Sequence, residues 1–171
     1  MTTANSIQRP SRYAPRELAA LFACVLLAIM VPAFFMPHQS LWVDETTQLS
    51  GLTLGPSEVT AWLAGTDPHR FGVPPDRSPP MSYWIGWGWS RVFGLTEASM
   101  RWLGVVLVAF ATMLVFDAGR RAWGCAAALT AGLLFALSPN VVVNAVEIRS
   151  YPLFLLAVSY THLTLPTNRE V

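Results

Sequence analysis

Hydrophobic and polar positions alternate along this chain in long blocks, not in the residue-by-residue alternation of half-buried strands. An apolar run covers 18–36, and no charge follows it until Asp44. A second covers 100–118, with no charge between Arg101 and Asp117. A third begins near Ala122 and stays uncharged as far as Glu147. A helix needs about 20 apolar residues to cross a bilayer. The blocks therefore predict spans over 18–36, 100–118 and 122–138, with a further span starting at Tyr151. The expected fold is all-α: a polytopic transmembrane helical bundle and an integral, multi-pass membrane protein. The first run has a second reading as a signal peptide, with Arg9, Arg12 and Arg16 as its charged region and Val31-Pro32-Ala33 as a loose cleavage site. It is longer than the usual apolar region of such peptides, and the later spans keep the chain in the membrane either way.

Between the first two spans, 37–99 forms one large loop. Its residues 44–54 read as a short helix ended by Gly55-Pro56. Ser57 is a plausible N-cap for a second helix through Leu63, because its hydroxyl can accept from free amides of the first turn. The stretch 66–80 holds five prolines and predicts irregular backbone. Residues 79–93 carry Tyr83, Trp84, Trp87, Trp89 and Phe93, the aromatic content of a helix at the membrane–water interface. The alternative is a short true span.

Arginine placement orients the chain. Arg9, Arg12 and Arg16 precede the first span, and Arg120-Arg121 lie between the second and third. The positive-inside bias puts both groups, and the N-terminus, in the cytoplasm. Then 37–99 and a shorter loop, 140–150, face outward. The short-span alternative for 79–93 would put Arg120 and Arg121 outside.

Composition sharpens this picture. The chain is 53% hydrophobic and 12% charged, about half the charge of a typical soluble domain. Its 11 basic residues are all arginine and its net charge is +1, which argues against a nucleic-acid binder. Cys24 and Cys125 both lie in apolar runs and read as small buried hydrophobes. The absence of lysine, with abundant Ala, Arg and Trp, suggests a high-GC bacterium and hence a bacterial inner membrane. The string from Val158 onward, VSYTHLTLPTNREV, resembles translated read-through of a sequencing-library adapter. Residues 158–171 are set aside as a tail foreign to the natural protein, so His162, Arg169 and Glu170 are not site candidates.

Candidate chemistry centres on Asp44-Glu45, two carboxylates just beyond a span, where charge is costly. Asp44 can serve as a catalytic carboxylate or as a helix N-cap, and Glu45 as chemistry or as structural support. Glu147 and Arg149, at the mouth of the last span, can be an exposed ion pair or can contact phosphate or metal. Arg101 can snorkel to the interface, bind phosphate or hold the acidic site. Asp117 reads as a membrane-boundary charge beside Arg120 and Arg121. A fragment of a transporter or a non-catalytic membrane subunit would also show arginine-biased spans. Transporters, however, place polar sites at mid-membrane on broken helices, and here the ionisable residues gather at the outer surface.

Four motifs in order carry a family resemblance. They are Trp42-Val43-Asp44-Glu45, then Arg77-Ser78-Pro79-Pro80-Met81-Ser82-Tyr83, then Met100-Arg101-Trp102-Leu103, then Ser138-Pro139 followed by Glu147-Ile148-Arg149-Ser150-Tyr151. Over residues 12–157 the chain resembles the N-terminal part of the C-type membrane glycosyltransferases. Within these it is similar to the dolichyl-phosphate-mannose–protein mannosyltransferase and aminoarabinose transferase family (glycosyltransferase family 39-like). The resemblance implies transfer of a sugar from a polyprenyl-phosphate lipid donor to a protein, glycan or lipid acceptor at the outer face. It implies Asp44 as general base, inversion at the anomeric carbon, and substrate contacts from Glu45, Arg101, Glu147 and Arg149. No tight metal-ligand cluster is visible, and no cofactor is implied beyond room for a divalent metal. Ser78 stands where the family often has histidine, and His69 is too distant to replace it. Residues 12–157 alone are expected to be inactive, because the carrier groove needs helices that follow.

Overall fold

The computed structural model describes residues 13–66, 71 and 76–164. In chain order these form α1 (Pro15–Phe35), a 3₁₀ turn (Met36–His38), α2 (Val43–Leu52), α3 (Pro56–Leu63), α4 (Pro80–Phe93), α5 (Glu97–Trp123), α6 (Cys125–Ala136), α7 (Pro139–Val146) and α8 (Tyr151–Thr164). The fold is all-α, as the apolar blocks require, and no strand occurs among the described residues.

Among the described residues, two helices are long and apolar enough to cross a bilayer alone. α1 has 21 residues and α5 has 27, about 32 and 40 Å of helix at 1.5 Å per residue. On α1 every fourth residue, Leu18, Phe22, Leu26, Met30 and Phe34, is exposed. A stripe of that kind is stable against lipid and not against water. The opposite face buries the smaller Cys24, Ala28 and Pro32, and Cys24 packs with Phe116 of α5 and Ala128 of α6. Both cysteines are free.

The expected third span, 122–138, takes a different form. Helix stops at Ala136 and resumes as α7 after a bend of 56°. Pro139 disfavours helical backbone at the residue before it, and Ser138 is extended with ψ 125°. Only as a bent pair do α6 and α7 have the length of a span. Most of the expected loop 140–150 is therefore helical, and 147–150 alone joins α7 to α8. At the other end of α6, Gly124 makes the tight turn from α5 with φ +86°, a conformation side chains resist.

α5 is the central helix, in contact with α1, α4, α6, α7 and α8. Gly104 lets α7 approach closely, since a Cβ there would collide with the Ala145 carbonyl oxygen. Val108, Val141 and Ala145 close that seam.

The loop 37–99 folds into a cap over one end of α5. Leu52 and Leu54, Val59 and Trp62 of α3, Tyr83 of α4, Met100 of α5 and Ile148 share one core. The Trp62 and Tyr83 rings meet edge to face at 6.0 Å. At 14 residues, α4 is about 21 Å long, short of the roughly 30 Å hydrocarbon core. It buries Tyr83 and Gly86 and exposes Met81, Trp84 and Phe93. The N-cap of α3 is Gly55, two residues before the expected one, and Glu58 closes the turn by accepting from the Gly55 amide at 3.0 Å. Ser57 lies inside the helix because Pro56, which needs no amide partner, takes the first position. α8 continues past Ala157 to Thr164 and buries Ser159, so the stretch set aside as foreign is helical as far as it is described. Arg9, Arg12, His69, Arg169 and Glu170 lie outside the described residues.

Candidate functional site

Adjacent residues on a helix point about 100° apart, and α2 uses this to split its acidic pair. Glu45, Gln48, Gly51 and Leu52 form the buried face. Asp44 points out, with its side chain 73% exposed. Asp44 is not the N-cap: Trp42 holds that position, and Glu45 closes the turn by accepting from the Trp42 amide at 3.0 Å. The backbone takes its capping partner from the inward carboxylate, which leaves the outward one without that task.

Glu45 is 1% exposed and so is Arg101. Their closest approach is 3.3 Å. The other oxygen of Glu45 is 3.4 Å from the second guanidinium nitrogen. Glu45 also accepts from the Ile148 amide at 2.8 Å. Arg101 donates to the Val146 carbonyl and to Glu97, at 3.0 Å. One buried ion pair thus ties α2 to α5 and to the 147–150 linker. Burying charge is costly unless every group is satisfied, and these partners satisfy it. Both side chains are enclosed and face each other inside the protein.

The outward carboxylate of Asp44 is joined by Arg149 and Asp76, whose side chains are more enclosed. Arg149 lies 3.8 Å from the Asp44 carboxylate and donates to the Asp44 carbonyl at 3.4 Å. On its other side Arg149 is 3.6 Å from Asp76. Asp76 accepts from the Tyr83 hydroxyl at 2.8 Å. Burial, followed by that hydrogen bond, raises the Tyr83 phenol well above its ordinary value, so it stays a donor. Asp76 and Tyr83 were not among the sequence candidates. Ser78, in the histidine position of the resemblance, is half-buried.

Glu147 lies in the linker, next to both systems. Burial, and then the charge of Glu45, raises its carboxyl above the ordinary 4.5. It lines a small cavity with Gln48, Ser82, Ile85, Leu103 and Arg149. The cavity volume is about 20 Å³, room for about one water. The Gln48 side-chain oxygen is buried with no hydrogen-bond partner among the described residues. The raised value has a stability consequence. Above pH 4.5 the unfolded chain loses this proton before the folded protein does, so folding weakens as pH rises through the window. Glu147→Gln should therefore raise the unfolding midpoint at neutral pH, with the gain fading as the pH falls to about 4. Thermal unfolding in detergent across that range tests it. A gain of the same size at every pH would exclude ionisation as the cause.

No group of three or more His, Cys, Asp or Glu side chains placed to hold a metal occurs among the described residues. The opposite end of the bundle holds the other charge cluster. Asp117 accepts from the Tyr13 hydroxyl at 2.7 Å and pairs with Arg120 at 3.0 Å and Arg121 at 2.6 Å. Arg120 also covers the Tyr13 ring at 4.2 Å. Asp117 is thus a clamp between the start of α1 and the end of α5, more than a boundary charge.

A lipid-facing helical bundle, capped at one end by a folded loop that presents carboxylates beside an arginine, defines an integral membrane protein with a polar site at its rim. Comparison with known families goes further. Residues 77–170 match the model of the dolichyl-phosphate-mannose-protein mannosyltransferase family, more than half of the chain, and the chain belongs to that family. No curated protein and no solved structure matches it. The matched stretch contains Arg101, Glu147 and Arg149, whereas Asp44, Glu45 and Asp76 precede it.

Proposed function

We propose that this chain carries the acidic half of the active site of a membrane glycosyltransferase that takes sugar from a polyprenyl-phosphate donor. The observation that carries the reading is the outward carboxylate of Asp44, 3.8 Å from the Arg149 guanidinium. The two groups suit the two ends of a displacement. An acceptor hydroxyl becomes a competent nucleophile when a positioned carboxylate takes its proton. The departing lipid phosphate gathers negative charge, which a guanidinium stabilises through its planar fork. Attack opposite the leaving group inverts the anomeric carbon. In this reading Asp44 is the base and Arg149 meets the phosphate. Glu147 borders the sugar or the phosphate, and Arg101 with Glu45 fixes the helix that bears the base. Family membership favours this over a transporter or a non-catalytic subunit.

The same reading places the site on the outer face of a bacterial inner membrane, with the N-terminus in the cytoplasm. In support, Arg120 and Arg121 share one end of the bundle with Tyr13, and Asp44 follows α1 at the other. The acceptor is a protein, glycan or lipid within reach of that face.

The test is transfer by the membrane protein in vesicles supplied with a polyprenyl-phosphate sugar, with mannose and aminoarabinose forms as the first donors. Sugar should leave the lipid, and the product should have the opposite anomeric configuration. Retained configuration, or transfer from nucleotide sugars alone, would overturn the proposal.

A further inference from the structure

We infer that Asp76 is a positioning residue that pins the Arg149 guanidinium beside Asp44. The inference deepens the proposed function and rests on that reading for its relevance to catalysis, though the pinning itself can be measured without activity. Three observations carry it.

The first is that Arg149 is divided between two carboxylates, 3.8 Å from Asp44 and 3.6 Å from Asp76. The two ends differ in freedom. The Asp44 side chain is 73% exposed, and that of Asp76 is 8% exposed. A long pair to an exposed carboxylate is screened by water and holds little. The enclosed carboxylate is the firmer anchor.

The second is that Asp76 is itself anchored. The same oxygen that faces Arg149 accepts from the Tyr83 hydroxyl at 2.8 Å. Tyr83 is fully buried between Trp62 and α2, and a Cβ on Gly51 would collide with its ring. The chain of support runs from the packed core of the cap through Tyr83 and Asp76 to Arg149.

The third is that Arg149 needs such a hold. It sits in the linker 147–150, outside helical backbone, with the Tyr151 ring 6.0 Å away. An arginine side chain free to turn loses much of its value as a preorganised group, because ordering it costs rotamer entropy. Both Arg149–carboxylate distances exceed 3.5 Å, longer than a direct charged hydrogen bond. The guanidinium is therefore held in place with its hydrogen-bonding capacity only partly used, which suits a group that must give two bonds to an arriving phosphate.

Arginine-selective modification tests this. The protein in lipid vesicles is treated with phenylglyoxal, and the label at Arg149 is timed by peptide mass spectrometry. The exposed Arg16 serves as internal reference. Asp76→Asn keeps an acceptor for Tyr83 and removes the charge. It should speed labelling of Arg149 by about three- to tenfold, the range for loss of a partly enclosed ion pair, with Arg16 unchanged. Tyr83→Phe removes the anchor of Asp76 and leaves its charge. It should speed labelling by about two- to threefold and serves as the second variant where Asp76→Asn does not fold. Wild-type labelling of Arg149 in both variants, with the fold intact, would overturn the inference. Undecaprenyl monophosphate added to the wild type separates the two claims. Faster labelling in the variants without protection by the lipid phosphate upholds the positioning role of Asp76 and sinks the phosphate role given to Arg149. Protection without any response to the variants does the reverse.

Discussion

Arg101→Met should destabilise the protein by about 3–5 kcal/mol, the usual cost of stranding one partner of a buried ion pair. Methionine fills much of the space but leaves Glu45 1% exposed with no cation. The Trp42 and Ile148 amides still donate to it, at 3.0 and 2.8 Å, yet neither carries a full charge. Domains are stable by only about 5–15 kcal/mol, so this is a large share. The partner mutation should be milder. Glu45→Gln keeps oxygen and shape for the amide donors, and Arg101 retains Glu97 at 3.0 Å and the Val146 carbonyl. Its cost should be about 1–2 kcal/mol. Glu45→Gln added to Arg101→Met should recover part of the loss, because no unpaired charge then remains buried. Denaturant unfolding of the four proteins in one detergent measures the cycle. Additive costs would mean that the two side chains do not act as a pair.

The long elements were legible because their signal is local. An uncharged run of span length can hardly be anything but a membrane helix, and α1 and α5 lie where 18–36 and 100–118 indicated. The bend between α6 and α7 was harder, since hydropathy reports lipid preference and not direction. Its one mark in the sequence is Pro139, which biases Ser138 away from helix. The Asp44-Glu45 pair was visible as a pair, but composition could not say which member turns inward. The spacing could have helped: Glu45, Gln48 and Leu52 fall on one helix face, and Leu52 belongs to the core. Asp76 left no signal at all. It stands in the proline-rich stretch 66–80, where no periodicity assigns a face, and its partner Arg149 comes from the far end of the described chain. Asp117 read as an ordinary boundary charge because Tyr13, which it binds, lies 104 positions away in sequence. What a sequence hides here is the long-range polar contact, and the site consists of little else.

The inward and outward carboxylates also separate two kinds of damage, which makes the final prediction clean. Asp44→Asn should leave the fold nearly unchanged. The side chain is exposed, its pair with Arg149 is long at 3.8 Å, and Arg149 donates to the Asp44 backbone carbonyl, which the substitution keeps. Loss of a charge near the first turn of α2 costs only about 0.3–1 kcal/mol. Asparagine matches aspartate in shape and cannot take a proton from an acceptor hydroxyl. General-base catalysis is worth about 10²–10⁴-fold, so turnover should fall by that factor. The donor KM should change little, because the proposed mechanism gives the phosphate to Arg149 and not to Asp44. Glu45→Gln should show the opposite balance, with a lower unfolding midpoint and a smaller loss of turnover. Rates and midpoints measured together on the two variants decide the assignment. An Asp44→Asn enzyme that keeps more than about a third of normal turnover, against the expected hundredfold loss, would remove Asp44 from the chemistry.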